Sequence, residues 1–340
     1  MGDGRFPQGY VGVIFLSPSA AEPTASAPLL VVAASVPVVT SASEFAEFAR
    51  LHLPLPLAER WIGLMRPGVV VPSNGIDPGS PEPIGLRGGG EPMLADDVAW
   101  PMFENCVPMR FIAELDCAAL TAVGGLESMP TSGHLLFFCV DYWYEAEGLD
   151  DGWRDRVDPW TGGKVLYLPD RAERQARPAP PGLAELEPLE LTQCPARAAG
   201  TPPSSASVWA ERYFGPEAGA AIDRHMRYVM RSQTPPTSDE YPLWASDFEL
   251  GIHERRCYVQ SGGHPYDVQR PPEIEAARRV LQRDGIVDPD DTSVLDEAER
   301  WRLLLQDAVD ESGNMIGYWL VREDDLAVGR FDRVYFDTQC

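Results

Sequence analysis

The sequence predicts an α+β fold: two related β-rich halves with flanking helices, packed as one globular unit. Two observations carry this reading. The pattern G-G-x-P occurs twice, as Gly89-Gly90-Glu91-Pro92 and as Gly262-Gly263-His264-Pro265. After each copy the same order of segments follows: an apolar strand with an internal polar residue, a Ser-Gly turn, and an aromatic strand running to an Asp.

Each element has its own signal. Glycine reaches φ > 0 at no steric cost and the proline fixes the exit, so G-G-x-P marks a tight turn. In the first half, "MRFIAELD" (Met109 to Asp116) reads as a strand. Ser132-Gly133 is a turn, and "HLLFFCVDYWY" (His134 to Tyr144) is a second, strongly apolar strand. In the second half, "WRLLLQDAVD" (Trp301 to Asp310), Ser312-Gly313 and "MIGYWLVRED" (Met315 to Asp324) repeat the order. Gln306 stands where the first half has Glu114. The second half adds a helix, "PEIEAARRVLQRDG", opened by Pro271 or Pro272 and closed by Gly285. The pattern reads as an internal duplication, with halves at about 86–170 and 207–340 joined by a connecting segment at about 171–206.

The flanks follow. Ser41-Ala-Ser-Glu44 is a capping box, with Phe45, Phe48, Ala49 and His52 at helical spacing until Pro54. A second helix, from Leu57, ends at Pro67-Gly68. "KVLYLPD" (Lys164 to Asp170) is a strand. Arg171 to Ser205 reads as a linker, with an edge strand at Leu186, Leu189 and Leu191 that tolerates Pro188. Gly215-Pro216 opens a helix to about Arg231, and "RVYFDTQC" closes the chain as a strand. Residues 1–40 are apolar but broken by Pro18, Pro23, Pro28 and Pro37. They read as a disordered extension before a folded 41–340, with Val38 or Val39 as an alternative start. No uninterrupted apolar run reaches the ~18–20 residues that span a bilayer.

The 28 basic against 52 acidic residues give a formal charge of −24 and exclude several functions. Nonspecific nucleic-acid binding needs clustered cations, and docking on anionic lipid needs them too. An acidic surface serves solubility or a basic protein partner. Lys164 is the single lysine, an arginine bias that suits GC-rich bacterial coding. The six Cys show no C-x-x-C spacing and read as reduced thiols in a cytoplasm.

Catalytic motifs are scarce. The glycine runs lack the G-K-[ST] ending of a phosphate loop. His253, Cys257 and His264 form H-x3-C-x6-H without a fourth ligand, so no metal is expected. No cofactor is expected either. "VDPDDTSVLDEAE" has Ser293 where a calcium loop needs Gly, and reads as an acidic helix N-terminus. No G-x-S-x-G is present. The binding candidates are Glu114, Gln306, His264, Tyr266 and Gln269, which would converge if the halves pack about a pseudo-two-fold axis. The competing reading is that Glu114 and Gln306 satisfy buried backbone groups. The aromatic, acidic stretch from Asp141 to Trp160 suits either a partner surface or a loop folded back on the core.

The ordered set "GGGEP", "WP", "FIAELD", "GHLLFF", "GGHPYDVQ", "LLLQ" and "DDLAVGRFDRVYFDTQC" resembles the YwqG-like family of bacterial proteins, over about Leu86 to Cys340. The resemblance implies a soluble α+β fold with two related halves and no established activity. It also implies Gln where Glu114 stands, and a Trp-containing acidic turn where "DESGNMIGYW" stands. The expectation is a non-enzymatic cytoplasmic binding protein, such as an accessory or immunity-type factor with an acidic surface. The alternative is a small-ligand binder or enzyme using a cleft between the halves.

Overall fold

The computed structural model describes residues 46–47, 49–51, 53–70, 84–124, 127–141, 157–183, 189, 192–201, 206–222, 259–265, 267–286, 291–309 and 315–340. All belong to the unit Val38–Cys340. The capping box, Tyr266, His253, Cys257, residues 142–156 and the turn at 310–314 lie outside the described residues.

The elements run α1 (Leu55–Ile62), β1 (Arg66–Val70), β2 (Ile84–Gly88), β3 (Met93–Ala95), β4 (Met102–Phe103), β5 (Val107–Pro108) and β6 (Arg110–Asp116). Then come α2 (Cys117–Ala122), β7 (His134–Cys139), β8 (Gly163–Leu168), β9 (Arg174–Ala176), β10 (Thr192–Pro195) and β11 (Arg197–Thr201). The last part holds α3 (Ala206–Phe214), β12 (Gln260–Gly262), α4 (Pro272–Arg283), α5 (Asp291–Ala298), β13 (Trp301–Ala308), β14 (Ile316–Arg322), α6 (Glu323–Ala327) and β15 (Tyr335–Gln339). The α+β class is therefore as the sequence predicts.

Two antiparallel sheets dominate. One has the order β10-β2-β6-β7-β8 and the other β11-β1-β12-β13-β14-β15. They share local detail. Gly89 and Gly90 (φ 64° and 68°) follow β2, and Gly262 and Gly263 (φ 71° and 70°) end or follow β12. Arg87 pairs with Glu114 as Gln260 pairs with Gln306. The register shifts between Phe111 and Ala113 in β6, and between Leu303 and Leu305 in β13.

The inner faces form the main core. Ala113, Leu115, Leu135 and Phe137 of the first sheet join Leu305, Trp319, Val321 and Phe336 of the second. Phe137 and Trp319 meet edge-to-face at 5.6 Å, and the Trp319 indole donates to Phe138 O. At the β8–β15 side, Gly163 lies so close that an added Cβ would stand 2.5 Å from Phe336 Cβ. Each outer face has its own layer. Leu136 and Phe138 pack with Leu94, Phe103 and Met109, while Tyr318, Leu320 and Tyr335 pack with Ala276 and Val280 of α4.

Two expectations change. The helix from Leu57 starts at Leu55 and stops at Ile62, and Pro67-Gly68 lie in β1, between β11 and β12. Pro67 O accepts from Gly263 N, and a Cβ on Gly68 would lie 3.0 Å from the Gly262–Gly263 backbone. Read locally, Pro-Gly signals a break; here it permits close backbone approach. The stretch taken as a linker carries β9, β10 and β11. Ala196 alone separates β10 from β11, so one segment passes from the edge of one sheet to the edge of the other.

Candidate functional site

Strand alternation decides where the polar candidates point. Glu114 lies between Ala113 and Leu115, which face the inter-sheet core, so its side chain takes the outer face beside Leu136. Gln306 follows Leu305 and pairs with Tyr318, so it takes the outer face of the other sheet. The two correspond in register yet point away from each other. The space between the sheets is filled by apolar side chains, and the expected convergence there does not occur.

Glu114 sits in a polar cluster with Arg174 and His134, in which its Oε2 has no hydrogen-bond partner among the described residues. Arg174 Nη1 donates to Glu114 Oε1 at 2.7 Å, and Arg174 Nη2 lies 2.7 Å from His134 Nε2. Arginine only donates, so Nε2 accepts and the ring proton sits on Nδ1, 3.0 Å from Glu114 Oε1. Burial alone would raise the Glu114 pKa, but His134 and Arg174 outweigh it and hold the carboxyl below its usual range. Asp170 completes the edge, 3.7 Å from His134 Nε2, and accepts from Gly133 N.

The second outer face gathers the rest. Gln260, opposite Gln306, donates to Gly262 O (2.8 Å) and His264 O (2.7 Å), which holds the turn. His264 is buried in that turn. Its backbone N donates to Thr201 Oγ1, and Nε2 donates to Leu64 O at 3.0 Å. Its Nδ1 faces Glu273 Oε1 of α4 at 3.9 Å, and neither atom has a hydrogen-bond partner. Burial first, with Arg66 adding to it, lowers the His264 pKa despite Glu273. Gln269 N donates to Gln339 Oε1 at 2.8 Å, and the Gln269 amide donates to Cys340 O. Gln339 also accepts from Val268 and Arg270 and donates to Arg270 O. Gln306 and His264 thus share one layer through Gln260, whereas Glu114 lies apart.

Beside α4 a cleft of about 330 Å³ opens. Trp160 and Trp301 line it, with ring centroids 6.1 Å apart. Arg283, in the last turn of α4, places its guanidinium 4.2 Å from the Trp160 centroid. Arg322 is held by Glu297 at 2.6 Å, and Arg333 lies 3.7 Å from Asp325. Arg283 and Asp332 have no ion pair among the described residues. Trp160 is the described end of the aromatic stretch, and it folds back against Trp301 and Tyr335.

Residues 87–340 match a protein family described as a domain of unknown function, DUF1963. The chain belongs to this family. No curated protein matches it. The DUF1963 match begins inside β2, yet β1 lies between β11 and β12, so the folded unit extends upstream of the matched span.

Sequence reasoning missed several side chains of these DUF1963 layers. Gln260 and Gln339 carried the same signal that exposed Gln306, a lone amide in a short strand. Arg66, Arg174, Glu273, Arg283 and Asp332 stand among many charges, and nothing local marks them. Among the described residues no group of three His, Cys, Asp or Glu could hold a metal. Of the described thiols, Cys117 and Cys139 are buried and Cys106 and Cys340 exposed, all free. Burial pushes Cys117 up to about 12 and raises Cys139, so neither is a thiolate nucleophile near neutral pH. No described helix is long and apolar enough to cross a membrane.

Proposed function

We propose that this DUF1963 protein is a non-catalytic binding protein of the bacterial cytoplasm whose acidic surface receives a basic protein partner. Within its family we place it with the YwqG-like proteins, as an accessory or immunity-type factor. The observation that carries this is the charge imbalance, −24 from 52 acids and 28 bases. Many described arginines are already engaged: Arg110 by Asp141, Arg174 by Glu114, Arg322 by Glu297. Pairing every cation would still leave an acidic excess, which steers and retains a basic partner. We also propose that the halves arose by duplication, supported by the matching bulges, Gly-Gly turns and Glu114/Gln306 register.

The test is affinity capture of the tagged protein at low and at high salt, with mass spectrometry of proteins and small molecules. A basic protein retained at low salt and released at high salt is the expected result. A co-purifying small molecule without protein would instead favour a second reading, a ligand-binding protein or enzyme. One observation favours that reading: the cleft beside α4, where Arg283 and Asp332 stand uncommitted.

A further inference from the structure

We propose that the cleft beside α4 binds a small zwitterion of the α-amino-acid class, its carboxylate on Arg283 and its ammonium on Asp332. The inference rests on the ligand-binding reading of this cleft. Most of the cleft's charged side chains have ion-pair partners within the protein. Glu297 holds Arg322 and accepts from the Trp301 indole at 3.0 Å, and Asp325 faces Arg330 and Arg333 at 3.4 and 3.7 Å. Arg283 and Asp332 line the cleft without an ion-pair partner among the described residues, and the two arginines that share Asp325 leave one further positive charge beside them.

Arg283 and Asp332 belong to different elements, the end of α4 and the 3-10 turn Phe331–Arg333. They form no ion pair with each other, and both line the cleft. The Trp160 face positions the Arg283 guanidinium without neutralising it, and leaves its N–H edges free for a carboxylate. The half-buried Trp160 supplies apolar wall for a side chain, with the buried Trp301 and Val280 packed in the core cluster behind it. A volume of about 330 Å³ stands at the small end of ligand pockets and fits an amino acid better than a nucleotide. A simple anion would leave Asp332 unmatched, and a simple cation would leave Arg283 so.

Calorimetric titration of the full chain with L-leucine, L-leucinamide, N-acetyl-L-leucine and acetate tests this. L-leucine should bind, and blocking either charge should weaken binding roughly tenfold or more. Arg283→Gln should weaken L-leucine by a similar factor while leaving L-leucinamide unchanged. Asp332→Asn should weaken L-leucine and leave N-acetyl-L-leucine unchanged. Both side chains are exposed, so unchanged melting of the variants serves as the folding control. Equal affinity for N-acetyl-L-leucine and L-leucine would overturn the zwitterion while the cleft stayed a ligand site. No binding of any probe up to about 10 mM, a Kd too weak to matter, would overturn both.

Discussion

Gly263 has φ 70°, and a Cβ there would stand 2.2 Å from Thr201 Oγ1. Gly263→Val therefore combines a strained backbone with a collision against β11. It should cost at least about 2 kcal/mol, read as a lowered melting temperature. Glu114 shows how a buried charge depends on its partner. Arg174→Met strands the carboxylate and should cost roughly 2–4 kcal/mol, whereas adding Glu114→Gln to that variant should recover part of the loss, in a denaturant double-mutant cycle. Because the Glu114 pKa is depressed, its contribution is present above the ordinary carboxylate range and fades as pH falls through the folded value. Asp307 has the opposite sign. Burial lifts it to about 7, above its ordinary 3.8, although its oxygen accepts from Ala308 N. The native state holds that proton more tightly, so stability falls as pH rises between those values. Asp307→Asn should flatten this trend by about 1–2 kcal/mol between pH 5 and 8, after discounting for partial exposure.

At the scale of elements, single amides organise whole segments. Gln339 on β15 accepts from three successive backbone N–H groups, at Val268, Gln269 and Arg270. It thereby fastens the segment that leads into α4. Gln339→Leu keeps the volume and leaves those donors without that acceptor, which should cost about 2–3 kcal/mol. Hydrogen exchange should quicken first at 268–270; unchanged protection there would remove this role. Gln260 does the same for the Gly262–Gly263–His264 turn. The strands β6, β7, β13, β14 and β15 were legible because their apolar runs are long and bounded by turn residues. α4 was legible from its prolines and Gly285. β1 and β10–β11 were not, since "RPGVV" and "TQCPARAAGT" carry no alternation and owe their extension to neighbours. The predicted edge strand at 186–191 falls mostly outside the described residues, and β10 begins at Thr192.

At the scale of the molecule, β1 joins β11 to β12 although it precedes the family match. A chain starting at residue 84 would expose two strand edges within the second sheet. It should lose cooperative melting and aggregate, whereas a chain starting at residue 38 should melt cooperatively; size-exclusion and thermal melting decide. By itself the sequence determined the α+β class, the two G-G-x-P turns, the placement of Glu114 and Gln306 each within an apolar strand, and the acidic excess. These depend on residue type and local period, which a chain carries in its own order. Only the tertiary structure decided that Glu114 and Gln306 face outward from opposite sheets, that Arg174 and His134 engage Glu114, and that Arg283 and Asp332 share a cleft. The reason is physical: which face a strand buries, and which charge meets which, is fixed by packing between segments distant in sequence.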